Sequence, residues 1–201
     1  MRMFCEKCGL PEITCMCDRI PKREVDIEFW VLTHERELRR KTNTGKLLGA
    51  MFHNATHIYV WDRLNPPSDL LSKLESDAYD VYLLFPSDDE EVNVAIDAHT
   101  HKKKAFILID ATWQEARKIV RKSPYLSKLK RLTLQPEGKS QFSLRRNQLE
   151  GSLCTVECGV QLLDMVGEEK LATELKDVFK DFIEHYNAGM HDHVVKKIKN
   201  D

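Results

Sequence analysis

The chain has 201 residues, of which 31% are charged and 42% hydrophobic, with a formal net charge of −1. That length suits one domain with a small appendage and is enough to bury a proper core. No apolar run is long enough to span a bilayer, and Met1–Cys5 lacks the apolar stretch of a signal peptide, so the chain reads as a cytosolic protein without a membrane partner.

Four of the six cysteines fall in the first 17 residues, as Cys5-x2-Cys8-x6-Cys15-x-Cys17. In a cytosolic chain such clustering reads as a metal knuckle before it reads as disulfides. Four thiolates suit tetrahedral zinc, and a site with every position filled by protein is structural. The segment has too few apolar residues to fold alone, so metal would supply the missing stability. A redox-active cluster and an unmetallated tail are the alternatives. The organisation read from these features is a cysteine-rich segment over 1–23, a catalytic domain over 24–187 and a basic tail over 188–201.

Val25–Leu32 alternates and then runs apolar, which predicts a strand. A turn at Thr33-His34 follows, then a basic cluster of Arg36, Arg39, Arg40, Lys41 and Lys46, with a helix over roughly Asn43–Phe52. His57–Trp61 is the second strand. Ser68 caps a helix running to Ser76. Asp80–Phe85 is the third strand, and Glu90–His101 reads as a helix. Lys104–Ile109 is the fourth strand, followed by Asp110-Ala111-Thr112-Trp113 and a helix to about Lys122. Arg131–Leu134 is a short fifth strand. Residues 135–141 form a loop, and helices follow around Ser152–Val166 and Glu168–Tyr186. Strands alternating with helices imply an α/β fold with a mostly parallel sheet.

The acids and bases are segregated. Ala116–Leu134 holds seven Lys/Arg and no acid, while Asp88-Asp89-Glu90-Glu91 carries a compensating block. Basic patches on a near-neutral chain fit a polyanion partner, although any one cluster is also an ordinary solvated face. Cys154 and Cys158 lie four apart on a predicted helix and read as small core residues. The chain has no G-x-x-x-x-G-K-[ST] loop, no G-x-G-x-x-G after a strand and no G-x-S-x-G elbow. A nucleotide triphosphatase, a Rossmann dehydrogenase and an α/β hydrolase are therefore disfavoured.

Asp110 stands where a strand ends and a helix begins, the place where ligand sites gather in open α/β sheets. Two readings are open from position alone. Asp110 caps the helix and Trp113 fills the core, or the carboxylate does chemistry beside a stacking face.

Four blocks occur in order: His34–Gly45; Leu84-Phe85-Pro86-Ser87; Asp110-Ala111-Thr112-Trp113; and Ser143-Leu144-Arg145-Arg146 with Leu153-Cys154-Thr155-Val156-Glu157. Together with the leading cysteines they closely resemble the DTW-domain family, over Cys5 to about Tyr186. The resemblance implies a SPOUT-like fold with a C-terminal trefoil knot, which rests on the resemblance alone. It implies transfer of the 3-amino-3-carboxypropyl group of S-adenosylmethionine to N3 of a uridine in tRNA, releasing methylthioadenosine. Asp110 would be the general base, since uridine N3 is a poor nucleophile until its proton leaves; desolvation beside Trp113 would tune it. Leu84, Phe85, Pro86, Ser87, Asp110, Thr112, Trp113, Thr155 and Glu157 would hold the cofactor, Thr112 by donating a hydrogen bond and Trp113 by stacking or by attracting the sulfonium. His34, Arg39, Arg40, Lys41, Asn43, Arg117, Arg121 and Arg145 would meet RNA, chiefly its phosphates. Cys5, Cys8, Cys15 and Cys17 would hold zinc. A monomer is expected. The alternatives are a SPOUT-type RNA methyltransferase and a non-catalytic zinc-containing RNA-binding module.

Overall fold

The computed structural model describes residues 3–8, 10, 12–38, 40, 42–86, 94–134 and 153–190. Five strands form one sheet: β1 (Ile27–Thr33), β2 (Thr56–Val60), β3 (Tyr79–Leu84), β4 (Lys103–Asp110) and β5 (Lys130–Leu132). Their order is β2-β1-β4-β3-β5, and every described pairing is parallel. The expected α/β class with a parallel sheet is therefore what forms. The segment between β5 and the next helix, on which a C-terminal knot would depend, includes residues 135–152 and lies outside the described residues.

β1 and β4 are central and covered on both sides, which is why they read as nearly continuous apolar runs. Alternate side chains separate into two cores. On one side Phe29, Val31, Phe106 and Leu108 pack with Leu47 and Leu48 of α2 (Gly45–Met51), with α5 (Thr155–Met165) and with α6 (Glu169–Met190). On the other, Trp30, Leu32, Leu83 and Ile107 pack with Leu70 of α3 (Ser68–Leu74) and Ile119 of α4 (Trp113–Lys122). A four-residue helix, α1 (Glu35–Leu38), fills the turn after β1. No described helix is long and apolar enough to cross a membrane.

The cysteine-rich segment is not a loose appendage. Leu10, Met16 and Ile20 are buried in the same core as α5 and α6, and the His185 ring of α6 bonds to the Thr14 carbonyl at 2.8 Å.

The helix expected over Glu90–His101 does not form in its described part. Residues 94–101 carry no helix. Val94 and Ile96, two apart, pack on the core as an extended segment does. It is held by Val94 N–H donating to the Arg131 carbonyl at 3.0 Å and Asp97 N–H donating to Tyr82 Oη at 2.9 Å.

Candidate active site

β1 and β4 lie side by side, but the chain leaves β1 toward β2 on one flank and leaves β4 toward β5 on the other. Their carboxyl ends thus form a topological switch point, where α/β sheets bind ligands. Thr33 and Asp110 are partners in register at these ends.

Asp110 is 1% exposed. Its parity with Phe106 and Leu108 turns the carboxylate toward the α2 and α5 layer. Oδ2 accepts from Thr33 Oγ1 at 3.0 Å and from Asn43 Nδ2 at 2.8 Å. Oδ1 accepts from Thr155 Oγ1 at 2.7 Å. Enclosing a lone carboxylate costs several kcal/mol. Three donors offset that cost, as does the positive end of α5, whose first residue is Thr155. The junction ties together the ends of β1 and β4 and the starts of α2 and α5.

This geometry overturns the capping reading of Asp110. Thr112 is the N-cap of α4, with its hydroxyl accepting from Glu115 N–H and the Glu115 carboxylate accepting from Thr112 N–H, a capping box. The Thr112 hydroxyl proton goes to Glu115 Oε2 at 2.7 Å, so the hydrogen bond expected from Thr112 to a cofactor is already committed within α4. Burial raises the Glu115 carboxyl, but the Thr112 hydrogen bonds and the charge of Arg40 win and hold it below its ordinary range. Glu157 is likewise the N3 residue of α5, accepting from Cys154 N–H at 2.9 Å. Cys154 is buried in the core, as expected, and Cys158 is half-buried against it. Burial first, then the negative charges of Glu157 and Asp110, pushes the Cys158 thiol up to about 12.

Trp113 does not fill the core; it is 41% exposed. Its ring stacks on Phe85 with centroids 5.3 Å apart and planes at 16°, and the Arg131 guanidinium lies 5.9 Å from the Phe85 centroid. Phe85 and Ala111 belong to the α3 and α4 side of the sheet, so Trp113 is not what desolvates Asp110. The groups around the carboxylate are Thr33, Asn43, Gly45 and Thr155. Leu84 ends β3 half-buried, and Pro86 is exposed just beyond it.

The residues expected on RNA separate into three groups. Asn43 turns inward, 3% exposed. Its amide donates to the Glu37 carbonyl and to Asp110, and its oxygen accepts from Gly45 N–H, so no group is left for a phosphate. Arg40 is partly exposed and paired with the buried Glu37 at 2.7 Å. His34 lies beside Trp61, ring centroids 6.0 Å apart, with Nδ1 accepting from Arg36 N–H. Arg117 and Arg121 are exposed on α4, next to exposed Lys118 and Lys122. Arg39, Lys41, Ser87 and Arg145 lie outside the described residues.

The four leading cysteine sulfurs all lie within 4.8 Å of one another, with Cys5 and Cys17 at 3.6 Å and Cys8 and Cys15 at 3.7 Å. Tetrahedral thiolates at a Zn–S length of about 2.3 Å stand roughly 3.8 Å apart, so the set fits that ion. Although burial raises the Cys5 thiol, backbone hydrogen bonds at Cys8 and Lys7 outweigh it and lower the thiol to about 7.

Thr33, Gly45, Glu115 and Arg131 were not anticipated. Glu115 was readable from the Thr-x-x-Glu spacing. Thr33 becomes a partner only once β1 pairs with β4.

A family profile described as the DTW domain matches residues 2–187. A Drosophila melanogaster protein named tRNA-uridine aminocarboxypropyltransferase 2 is 29% identical over 166 residues, covering 81% of this chain and 66% of its own. A Mus musculus protein of the same name is 24% identical over 179 residues, covering 86% and 59%. An Arabidopsis thaliana protein named tRNA-uridine aminocarboxypropyltransferase A is 26% identical over 212 residues, covering 89% and 80%. The match thus spans about three fifths to two thirds of the two animal relatives. No solved structure matches the chain.

Proposed function

Since the chain belongs to the DTW-domain family, we propose that it transfers the 3-amino-3-carboxypropyl group of S-adenosylmethionine to N3 of a tRNA uridine, with methylthioadenosine leaving. The observation that carries this reading is the buried Asp110 at the switch point, bonded by Thr33, Asn43 and Thr155, within a family whose matched relatives bear the aminocarboxypropyltransferase name. A SPOUT-like knotted C-terminal region belongs to the same reading and is supported by the all-parallel sheet.

The exposed, stacked Trp113 offers a flat face for the adenine ring or a π-face for a sulfonium. Leu84, Phe85 and Pro86 bring the end of β3 to the same rim. Thr155 opens α5 with its hydroxyl on Asp110, as part of the pocket wall, and Glu157 in the same turn lies toward the amino-acid arm. The bound sulfonium supplies a good leaving group, so the protein's tasks are orientation and proton removal. Whichever carbon meets N3 in line determines the product. Asp110 is the carboxylate on which the N3 proton ends. Arg40, Arg117 and Arg121 take phosphates, fixing the RNA without reading its sequence. The cysteine knuckle holds one structural zinc, and the enzyme works as a cytosolic monomer.

Identifying the by-product tests the proposal. Incubation with S-adenosylmethionine and tRNA should release methylthioadenosine. Release of S-adenosylhomocysteine would make the protein a methyltransferase, and no cofactor binding at all would make it an RNA-binding module.

A further inference from the structure

We propose that Thr155 is a catalytic residue: its hydroxyl takes the uridine N3 proton while passing its own proton to Asp110. The inference rests on the aminocarboxypropyl-transfer reading and adds a residue to it.

Asp110 is shielded from any substrate that approaches it directly. It is 1% exposed, and a carboxylate oxygen has two lone-pair sites. Both sites on Oδ2 are filled, by Thr33 and Asn43. Oδ1 takes one bond, from Thr155 Oγ1 at 2.7 Å. One site on Oδ1 stays open, but the residue is enclosed, and Thr155 is the most exposed of its three donors, so the proposed route to the carboxylate runs through the Thr155 hydroxyl.

Thr155 is equipped for that position. Its single hydroxyl proton is already directed at Asp110, and no donor among the described residues occupies its two acceptor sites. It is 8% exposed, the outermost of the pair. A hydroxyl that donates to a carboxylate is polarised toward accepting another proton. Its place is set by the start of α5, and Gly45 lies beside it: a methyl group there would press on Asn43 Oδ1 at 3.1 Å and lie 3.6 Å from Thr155 Cγ2 and from Asp110 Oδ2. The absent side chain leaves this junction uncrowded.

In the proposed step the N3–H bond breaks as its proton moves to Thr155 Oγ1, and the Thr155 proton moves to Asp110 Oδ1. The freed N3 electron pair forms the bond to the arm carbon. The carbon–sulfur bond breaks with its pair going to sulfur, which leaves as a neutral thioether. The sulfonium charge and the carboxylate charge disappear together, so the low-dielectric site ends with neither. Concerted transfer avoids a free threonine alkoxide.

Single-turnover transfer to tRNA should be compared for the wild type, Thr155→Ser and Thr155→Val, with S-adenosylmethionine affinity and melting temperature measured on each. Thr155→Ser should keep most of the rate. Thr155→Val should lose roughly 10²–10³ in rate, within the usual worth of proton transfer, while cofactor affinity holds. Wild-type rates in mixtures of H2O and D2O should show two protons in flight, a readout that needs no variant. Thr155→Val transferring at the wild-type rate, a loss matched by lost cofactor affinity, or a one-proton isotope dependence would overturn the relay alone. A wild-type enzyme that transfers no aminocarboxypropyl group would overturn the underlying reading as well.

Discussion

Asn43 and Asp110 meet through a 2.8 Å hydrogen bond that joins the turn before α2 to the carboxyl end of β4. The same Asn43 amide donates to the Glu37 carbonyl and accepts from Gly45 N–H. Asn43→Ala would leave a buried carboxylate short of one donor and take the acceptor from Gly45 N–H, while the Glu37 carbonyl keeps its bond from Arg40 N–H. The expected loss is about 2–4 kcal/mol, or a melting temperature lower by roughly 5–15 °C. The salt dependence of tRNA binding should not change. A variant that melts normally but binds tRNA with a flatter salt slope would return Asn43 to the RNA interface.

Gly159 sits where α5 crosses α2. A methyl there would lie 2.6 Å from Leu48 Cδ2 and 3.4 Å from Leu175 Cδ2. Alanine gains roughly 1 kcal/mol in helix propensity, but overpacking a dense core costs about 1–3 kcal/mol. Gly159→Ala should therefore destabilise by up to about 2 kcal/mol, measured by urea unfolding. A stabilised variant would show that α2 and α5 pack more loosely than described.

Glu28 predicts the acid behaviour. Burial works to raise its carboxyl, but the Trp30 indole N–H and the Lys73 and Lys103 ammonium groups outweigh burial and hold it below the ordinary range. A carboxyl lowered on folding stabilises the native state above its unfolded pKa, about 4.3, and loses that contribution as pH falls through the lower folded value. Unfolding midpoints should be level down to about pH 5 and fall below it. Glu28→Gln should be less stable near neutrality and show a shallower acid decline. An unchanged acid limb would rule Glu28 out as its source.

The knuckle should bind one zinc, because four sulfurs stand at thiolate–zinc spacing. Leu10, Met16 and Ile20 share the core of α5 and α6, so metal loss should lower the melting temperature of the whole chain. Elemental analysis and thermal unfolding of Cys8→Ser check both. Metal-free protein with wild-type stability would contradict the assignment.

Exposed Arg117 and Arg121 should bind tRNA phosphates. Each contact removed by alanine should flatten the log affinity against log salt slope by roughly 0.7–0.9, leaving cofactor affinity alone. An unchanged slope would move the RNA off this face of α4.

The strands were readable because the central ones are covered on both faces and written in apolar residues. The segment after β3 misled because Val92, Ala95 and Ile96 have helical spacing in the sequence, whereas Val94 and Ile96, two apart, suit an extended strip, and the partners that decide, Arg131 and Tyr82, are distant in sequence. Asp110 was readable as a candidate from its place after an apolar strand. Its surroundings were not, since Thr33, Asn43 and Thr155 converge only when β1 pairs with β4 and two helices start over the sheet edge. Asn43 was misassigned by its nearness to Arg39–Lys41. Adjacency in a short turn does not tell which side chain points inward.

The central claim is that Asp110 receives the proton in an alkyl transfer to uridine N3. Nucleoside mass spectrometry of tRNA incubated with S-adenosylmethionine tests it most directly, using wild type and Asp110→Asn side by side. The account predicts N3-aminocarboxypropyluridine with the wild type and a rate lower by roughly 10²–10⁴ with Asp110→Asn, at unchanged cofactor affinity. Methylated nucleosides, or full activity in Asp110→Asn, would contradict it.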